Sequence, residues 1–335
     1  MLNIGVIGCG AIGRDHIRRL TDLVPGCQVV ACADYFEEAA AKVAAQYEGM
    51  KAYKTGEELI AAPEVQAVVI TSSDPSHAGY VLEALKAGKQ VFCEKPLAQS
   101  AADCEKIIAA ETAYGKRLVQ VGFMRHYDRG YAEMKRIIDS GELGAPLMIH
   151  ACHRNVSQPD GFQTEMGVSN VAIHELDICR WLLGDEYKSG QVLKVRQSAC
   201  STKGYDNPQI VLLETQSGAR IDVEVQVADA YGYDIQCQVV CEKGTVNLPD
   251  PYAVVKRSNA TRSFPILTDW KDRFIEAYDI ELTHWVKTLE EKGEPDGPSA
   301  WDGYAACVAA DTLNRSRGTN QFLPIEMMDK PALYK

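Results

Sequence analysis

Short, near-continuous apolar runs alternate with alanine-rich amphipathic stretches over the first 122 residues. NIGVIG, QVVACAD, AVVIT, QVFCE and RLVQVGF read as strands, with helices between them. Strands that are apolar on both faces and joined through helices suit a parallel sheet covered on both sides, since each parallel crossover needs a helix. The pattern predicts a doubly wound α/β domain over residues 1–122.

After residue 123 the period changes. A helix is expected over about 129–140, followed by PLMIHACHR as a strand, a polar, glycine-containing loop over 155–168, and a helix from His174 to Leu183. The runs QIVLLET, RIDVEVQVA and YDIQCQVVCE, then TVNLP after a turn at Lys243 and Gly244, alternate with period two. Consecutive strands joined by short turns imply an antiparallel sheet. Helices over roughly 270–291 and 299–316 follow, the first ended by the breaker KGEPDGP. Residues 123–335 therefore read as an α+β domain with a large, mainly antiparallel open sheet flanked by helices. The sequence carries neither an internal repeat nor a low-complexity linker.

A length of 335 residues suits this division, since one core rarely serves so long a chain. A net charge of -11 gives a surface that repels phosphate backbones and anionic lipid, so neither nucleic acid nor a membrane is expected as partner. The start MLNIGVIGCGAIG runs into a strand and a glycine turn rather than a leader peptide, and no apolar stretch approaches the ~20 residues of a spanning helix. Eleven cysteines, most in apolar patterns as at Cys32, Cys93, Cys179 and Cys307, suggest buried reduced thiols and a cytoplasmic location. Cys237 and Cys241 lack the spacing of a metal site, and no metal is expected.

Candidate chemistry begins at the first turn. Gly8, Gly10 and Gly13 form G-x-G-x-x-G between a strand and a helix that opens with Ala11 and Ile12. The first glycine permits the tight turn, the second lets backbone approach a pyrophosphate, and the third allows close helix packing. Asp34 closes the second strand about 20 residues on, where a carboxylate accepts from ribose hydroxyls. This is the fingerprint of a Rossmann dinucleotide site. A carboxylate there repels a 2'-phosphate, and Tyr35, Phe36 and Glu37 supply no arginine to hold one, so the expected cofactor is NAD. The run from Thr71 to His77 leaves the end of the third main strand; Ser73 and His77 are candidate dinucleotide contacts, with a plain helix cap by Ser73 or Asp74 the alternative.

Glu94, Lys95 and Pro96 end QVFCE at the edge of the sheet that would receive the nicotinamide, and Pro96 fixes the turn. A lysine there can donate to a substrate hydroxyl and join a proton relay. With this EKP, the motifs FCEKPLA, RLVQVGFMRHYDRGY, PLMIHACHRN, HELDICRWLL, YGYDIQC, DW..RF..AYD and GP.AWDGY span both domains. Together they resemble the Gfo/Idh/MocA oxidoreductase family, and within it the members that oxidise inositols.

The resemblance implies that Lys95 orients the substrate hydroxyl and that His174 is the general base. An imidazole suits that work near neutrality. Glu94 and Lys95 would also border the cofactor. Arg125, His153, Asn155, Tyr233, Trp270 and Tyr278 match positions lining or adjoining a polyol pocket, where donors, acceptors and aromatic walls suit a ring of hydroxyls. Asp177, one turn after His174, is as well placed to orient the helix as to touch substrate. One departure stands out: the family pattern has Asp four residues before the histidine, and here VSNVAIHE has Asn170. A neutral amide can hydrogen-bond a hydroxyl but cannot accept a proton or stabilise an imidazolium well.

The expected activity is NAD-dependent oxidation of a ring secondary alcohol to a ketone, with myo-inositol to scyllo-inosose the leading instance. A scyllo- or chiro-inositol or a pyranose is the alternative that Asn170 and Val156 suggest. A catalytically silent NAD-binding sensor is the reading from another class. The resemblance also implies a homotetramer, joined through the antiparallel sheet by apolar residues of RIDVEVQVA.

Overall fold

Strand β1 (Leu2–Ile7) is the centre of the first sheet in the computed structural model, which describes residues 1–158, 161–201, 204–251 and 254–335. β2 (Cys27–Ala33) and β3 (Lys51–Tyr53) lie on one side of it, and β4 (Ala67–Ile70), β5 (Gln90–Glu94) and β6 (Val119–Gly122) on the other. The order β3-β2-β1-β4-β5-β6, with every pairing parallel, reverses direction between β1 and β4. Ligands bind such sheets at that switch, outside the carboxyl ends of the strands. The crossovers are α1 (Ala11–Asp22), α2 (Glu37–Ala44), α3 (Gly56–Ala61), α4 (His77–Lys86) and α5 (Ala101–Tyr114). All four β4 residues are buried, as two covered faces require. β3 has three largely exposed residues, too few for a period to register.

The second unit opens with α6 (Arg129–Ser140) and the long strand β7 (Pro146–Arg154). A π-helical turn, Gly167–Ala172, then runs into α7 (Ile173–Leu183). Pro159 and Asp160, within the expected polar loop, lie outside the described residues. The strands β8 (Tyr187–Lys194), β9 (Gln209–Thr215), β10 (Arg220–Gln226), β11 (Asp234–Cys241) and β12 (Gly244–Asn247) follow, then a small hairpin, β13 (Lys256–Ser258) with β14 (Thr261–Ser263). Among the described residues, a seven-stranded sheet runs β12-β11-β7-β10-β9-β8-β15, its edge strand β15 being Leu323–Pro324. Only the β7–β10 pair is parallel, because β7 inserts between β10 and β11. The mainly antiparallel expectation therefore holds with that one exception.

β8 escaped the pattern reading because Lys188, Ser189, Gly190 and Gln191 interrupt its apolar run. Gly190 is needed there: a Cβ would lie 2.8 Å from both Leu213 and Leu313. The expectation that apolar residues of RIDVEVQVA form an exposed interface is corrected. Ile221, Val223 and Val225 of β10 are buried beneath the sheet, while Asp222, Glu224 and Gln226 turn outward. A covered face claims the apolar half of an alternating strand. Apolar residues of the open face instead include Ile210 and Leu212 of β9, Leu193 of β8 and Val240 of β11, all half-buried, and exposed Met148 of β7.

The two compact units do not divide the chain at a single point. The first comprises Met1–Met124, Tyr278–Cys307 and Met328–Lys335; the second comprises Arg125–Ala277 and Val308–Met327. The first junction lies close to the expected one after residue 122, but the assignment of all of 123–335 to one domain is corrected. The cause is the apolar stripe of α8 (Trp270–Lys292), a helix kinked at Phe274. Its Leu282, Trp285, Val286 and Leu289 complete the cluster of Ile4, Val6, Ile17, Leu20 and Phe92. α9 (Ala300–Ser316) likewise begins in the first unit, where Gly303 packs on Leu97 and Val121.

Candidate active site

In the first unit the glycine turn is set by contact. Gly8 has a φ of 103°, and a Cβ on it would lie 2.5 Å from the backbone of Thr71 and Ser72. A Cβ on Gly13 would lie 1.9 Å from the Gly8 carbonyl oxygen. Buried Thr71 locks the turn by donating its hydroxyl to the Gly8 carbonyl at 2.8 Å. A Cβ on Gly10, by contrast, would meet nothing within 4 Å, so this glycine faces the space a pyrophosphate would enter. Gly10 caps α1 without a side-chain bond and no acid occupies its first turn, so the helix end at Ala11, Ile12 and Gly13 keeps its positive field for an anion.

Asp34 lies at the end of β2 with both carboxylate oxygens engaged: Cys9 N donates to one at 2.6 Å and Phe36 N to the other at 2.9 Å. Its charge is thus fixed beside the glycine turn, with remaining lone pairs for ribose hydroxyls. These features form a cradle suited to NAD. Ser73 is exposed and its hydroxyl makes no cap bond; the Ser73 carbonyl accepts from Ser76 instead. His77 is buried, its ring nitrogens 2.7 Å from the Pro96 carbonyl and 3.0 Å from the Ser72 carbonyl, so it ties the loop after β4 to the one after β5.

Lys95 follows β5, half-buried, before a cis peptide to Pro96. Glu94 turns inward: its carboxylate meets His16 Nε2 of α1 at 2.8 Å and accepts from Lys95 N at 3.3 Å. Tyr278 also belongs to the first unit, where its ring lies 5.6 Å from that of His16 and 5.4 Å from the Arg19 guanidinium.

The second unit carries a different arrangement. α7 is buried from Ile173 to Arg180, so its polar residues His174, Glu175 and Asp177 must find partners inside. Glu175 forms a short ion pair with Arg125 and meets His153 Nδ1 at 2.9 Å. Arg125 is 1% exposed, its guanidinium 5.9 Å from the Tyr131 ring and 5.6 Å from that of Phe274. Burial alone would raise the Glu175 carboxyl, but the charges of Arg125 and His153 outweigh it and bring it down to about 2. The Tyr233 hydroxyl is pushed up to about 12, chiefly by burial.

His153 connects this pair to the candidate base. Its ring centroid lies 6.1 Å from that of His174 and 5.8 Å from that of Tyr233. The structure thus brings Arg125, His153, His174 and Tyr233 together in one cluster. Asn170 lies half-buried on the π-helical turn one step before His174, and Asn155 follows β7, its backbone extending the ladder to Gln226 and Asp229. Trp270 opens α8, half-buried under the Lys271 ammonium.

Sequence reasoning missed Glu175 and the pairing of Asp177, which meets His126 Nε2 at 2.8 Å. The available signal was HELD inside an otherwise apolar helix, since carboxylates there require buried cations. Among the described residues, no group of three His, Cys, Asp or Glu side chains could hold a metal ion.

Comparison with known proteins extends this geometry. Residues 2–123 match the Gfo/Idh/MocA model described as an oxidoreductase family with an NAD-binding Rossmann fold, and residues 131–247 match the Gfo/Idh/MocA C-terminal domain. The chain is 52% identical to an inositol 2-dehydrogenase of Burkholderia cenocepacia, over 100% of this chain and 99% of that one. It is 53% identical to an inositol 2-dehydrogenase of Ralstonia nicotianae, with the same coverage. A crystal structure of myo-inositol dehydrogenase from Lactobacillus casei in complex with NAD(H) and myo-inositol matches all of both chains, with a TM-score of 0.96 and 37% identity.

Proposed function

Because the chain belongs to the Gfo/Idh/MocA oxidoreductase family, we propose that it is an NAD-dependent dehydrogenase oxidising a ring secondary alcohol of a cyclic polyol, with myo-inositol converted to scyllo-inosose. The observation that carries this reading is full-length similarity, at 52% identity, to an inositol 2-dehydrogenase, joined to a glycine turn and Asp34 shaped for NAD. Held at that turn, NAD supplies the hydride acceptor. The ring C–H bond gives up its electron pair as hydride, the O–H proton leaves, and the carbon–oxygen bond becomes a carbonyl.

Three side chains are assigned to those events. Lys95 donates to the hydroxyl oxygen and orients it, and the imidazole of His174 takes the hydroxyl proton. Asn170 hydrogen-bonds the polyol rather than sharing a proton. His153, Asn155, Tyr233, Trp270 and Tyr278 remain assigned to the polyol side, and Arg125 to its support. Gly8, Gly10, Ala11, Ile12, Gly13, Asp34, Ser73, His77 and Glu94 are assigned to the cofactor side. Asn170 also favours a second reading, in which scyllo- or chiro-inositol or a pyranose replaces myo-inositol.

Assembly as a homotetramer is part of the proposal, supported by Ile210, Leu212 and Met148 on the open sheet face. So is a cytoplasmic location. All eleven cysteines are free of disulfides, and among the described residues no helix is long and apolar enough to cross a membrane. NADH formation with a panel of inositols and pyranoses tests the function. Turnover fastest with myo-inositol is expected; a faster pyranose would replace the substrate, and tight NAD binding without turnover would replace the enzyme by a sensor.

A further inference from the structure

Helix α1 starts at the glycine turn, and on its buried side it carries His16, a polar residue with an exposure of 0%, among the rings of Phe92 and Tyr278 at 5.8 and 5.6 Å. Among the described residues its ring makes one hydrogen bond, from Nε2 to the Glu94 carboxylate at 2.8 Å, while Nδ1 is buried without a hydrogen-bond partner. The second Glu94 oxygen accepts from the backbone amide of Lys95 at 3.3 Å. We propose that His16 and Glu94 are positioning residues for Lys95: His16 holds the carboxylate, and the carboxylate holds the main chain from which the lysine reaches the substrate hydroxyl. This deepens the dehydrogenase reading above and rests on it.

Three local features make the carboxylate a fixed strut. The parallel ladder of β5 with β6 ends at the pair Glu94 and Gly122, and just beyond it a side chain takes up the Lys95 amide. Gly122 leaves the space for that side chain: a Cβ there would lie 3.1 Å from the Glu94 carboxyl carbon and 3.2 Å from each of its oxygens. His16 fixes the other end, since a carboxylate oxygen accepts and the 2.8 Å contact therefore places a proton on Nε2. Both Glu94 oxygens are thus engaged within the first unit. The residue serves the cofactor side through its neighbours, α1 and Lys95.

Packing alone does not call for such a pair. A buried polar pair adds little net stability over apolar side chains of the same volume; what it can add is a fixed orientation. Orientation matters at Lys95, because displacing a catalytic group by about 1 Å can cost on the order of a hundredfold in rate. The strut also joins two requirements of the reaction. α1 offers its N-terminus to the dinucleotide, and the same helix, further along, sets the lysine.

Steady-state kinetics and NAD titration of the full-length protein test this with three substitutions. His16→Gln puts an amide donor near the position of Nε2, His16→Asn puts one near that of Nδ1, and His16→Leu removes the donor. With the polyol that the wild type turns over fastest, kcat is expected to fall roughly tenfold in His16→Leu and His16→Asn, the effect of one hydrogen bond to a charged group. NAD affinity by calorimetry should change less than about threefold in both, and most of kcat should return in His16→Gln. A kcat in His16→Asn equal to or above that of His16→Gln would overturn the inference, even if His16→Leu failed to fold. So would parallel losses of kcat and NAD affinity in His16→Asn, which describe a packing role. NADH formation by the wild type separates the outcomes: absent turnover overturns the dehydrogenase reading and this inference with it, whereas wild-type turnover with either of those variant results overturns only this inference.

Discussion

The candidate cofactor cradle of the first unit and the buried polar cluster of the second are built from different materials. In the first unit the binding surface is mostly backbone: Gly8 and Gly13 leave no room for a Cβ, and Asp34 is fixed by two main-chain amides. In the second unit the candidate residues are held mostly by charge, carried by side chains that α7 takes into the interior: Glu175 on Arg125 and His153, and Asp177 on His126. A steric site depends on shape and is indifferent to pH. An electrostatic site depends on every member of the network keeping its partner.

This contrast is open to attack in four places. The largest effect should come from Arg125→Met, which strands the Glu175 carboxylate in the interior and should cost about 3–5 kcal/mol in urea unfolding. A loss below about 1 kcal/mol would mean that the pair is not the keystone of its unit. Next is Gly13→Ala, where the added carbon would lie 1.9 Å from the Gly8 carbonyl. About 1–3 kcal/mol of stability and most NAD affinity should disappear, as read by unfolding and by calorimetric titration, alike at neutral and mildly acid pH.

Acid provides the third test. The Glu175 carboxyl falls from an ordinary value of 4.5 to about 2 in the folded protein. Its stabilising contribution is therefore complete above the ordinary value and drains away as the pH drops through the interval toward about 2. Denaturation curves recorded across that interval should fall more steeply for the wild type than for the variant Arg125→Met with Glu175→Gln. Parallel curves would remove Glu175 from the acid response. Smallest is Asn170→Asp, which puts a carboxylate one helical step before His174. It should move the pH midpoint of kcat by about one unit. Unchanged kinetics would take Asn170 out of the mechanism.

The same contrast explains what could be read along the chain. Gly8, Gly10, Gly13 and Asp34 were legible because a dinucleotide turn imposes backbone geometry at fixed spacing. β9, β10 and β11 were legible from their period of two, which one covered face imposes. β8 was not, since its polar residues and Gly190 blur that period. The return of α8 to the first sheet through Leu282 and Trp285 was hidden because an apolar stripe announces burial without naming its partner. Glu175 was hidden for a related reason: its partners, Arg125 and His153, lie 50 and 22 residues away.

The most direct test of the central claim is transfer of deuterium from ring-deuterated myo-inositol to NAD, followed by mass analysis of the reduced cofactor. The account predicts that the label arrives in NADH, with a slowed single turnover in the wild type and no detectable transfer in Lys95→Ala with His174→Ala. NADH formed without label, or label transferred equally well by that double variant, would contradict it.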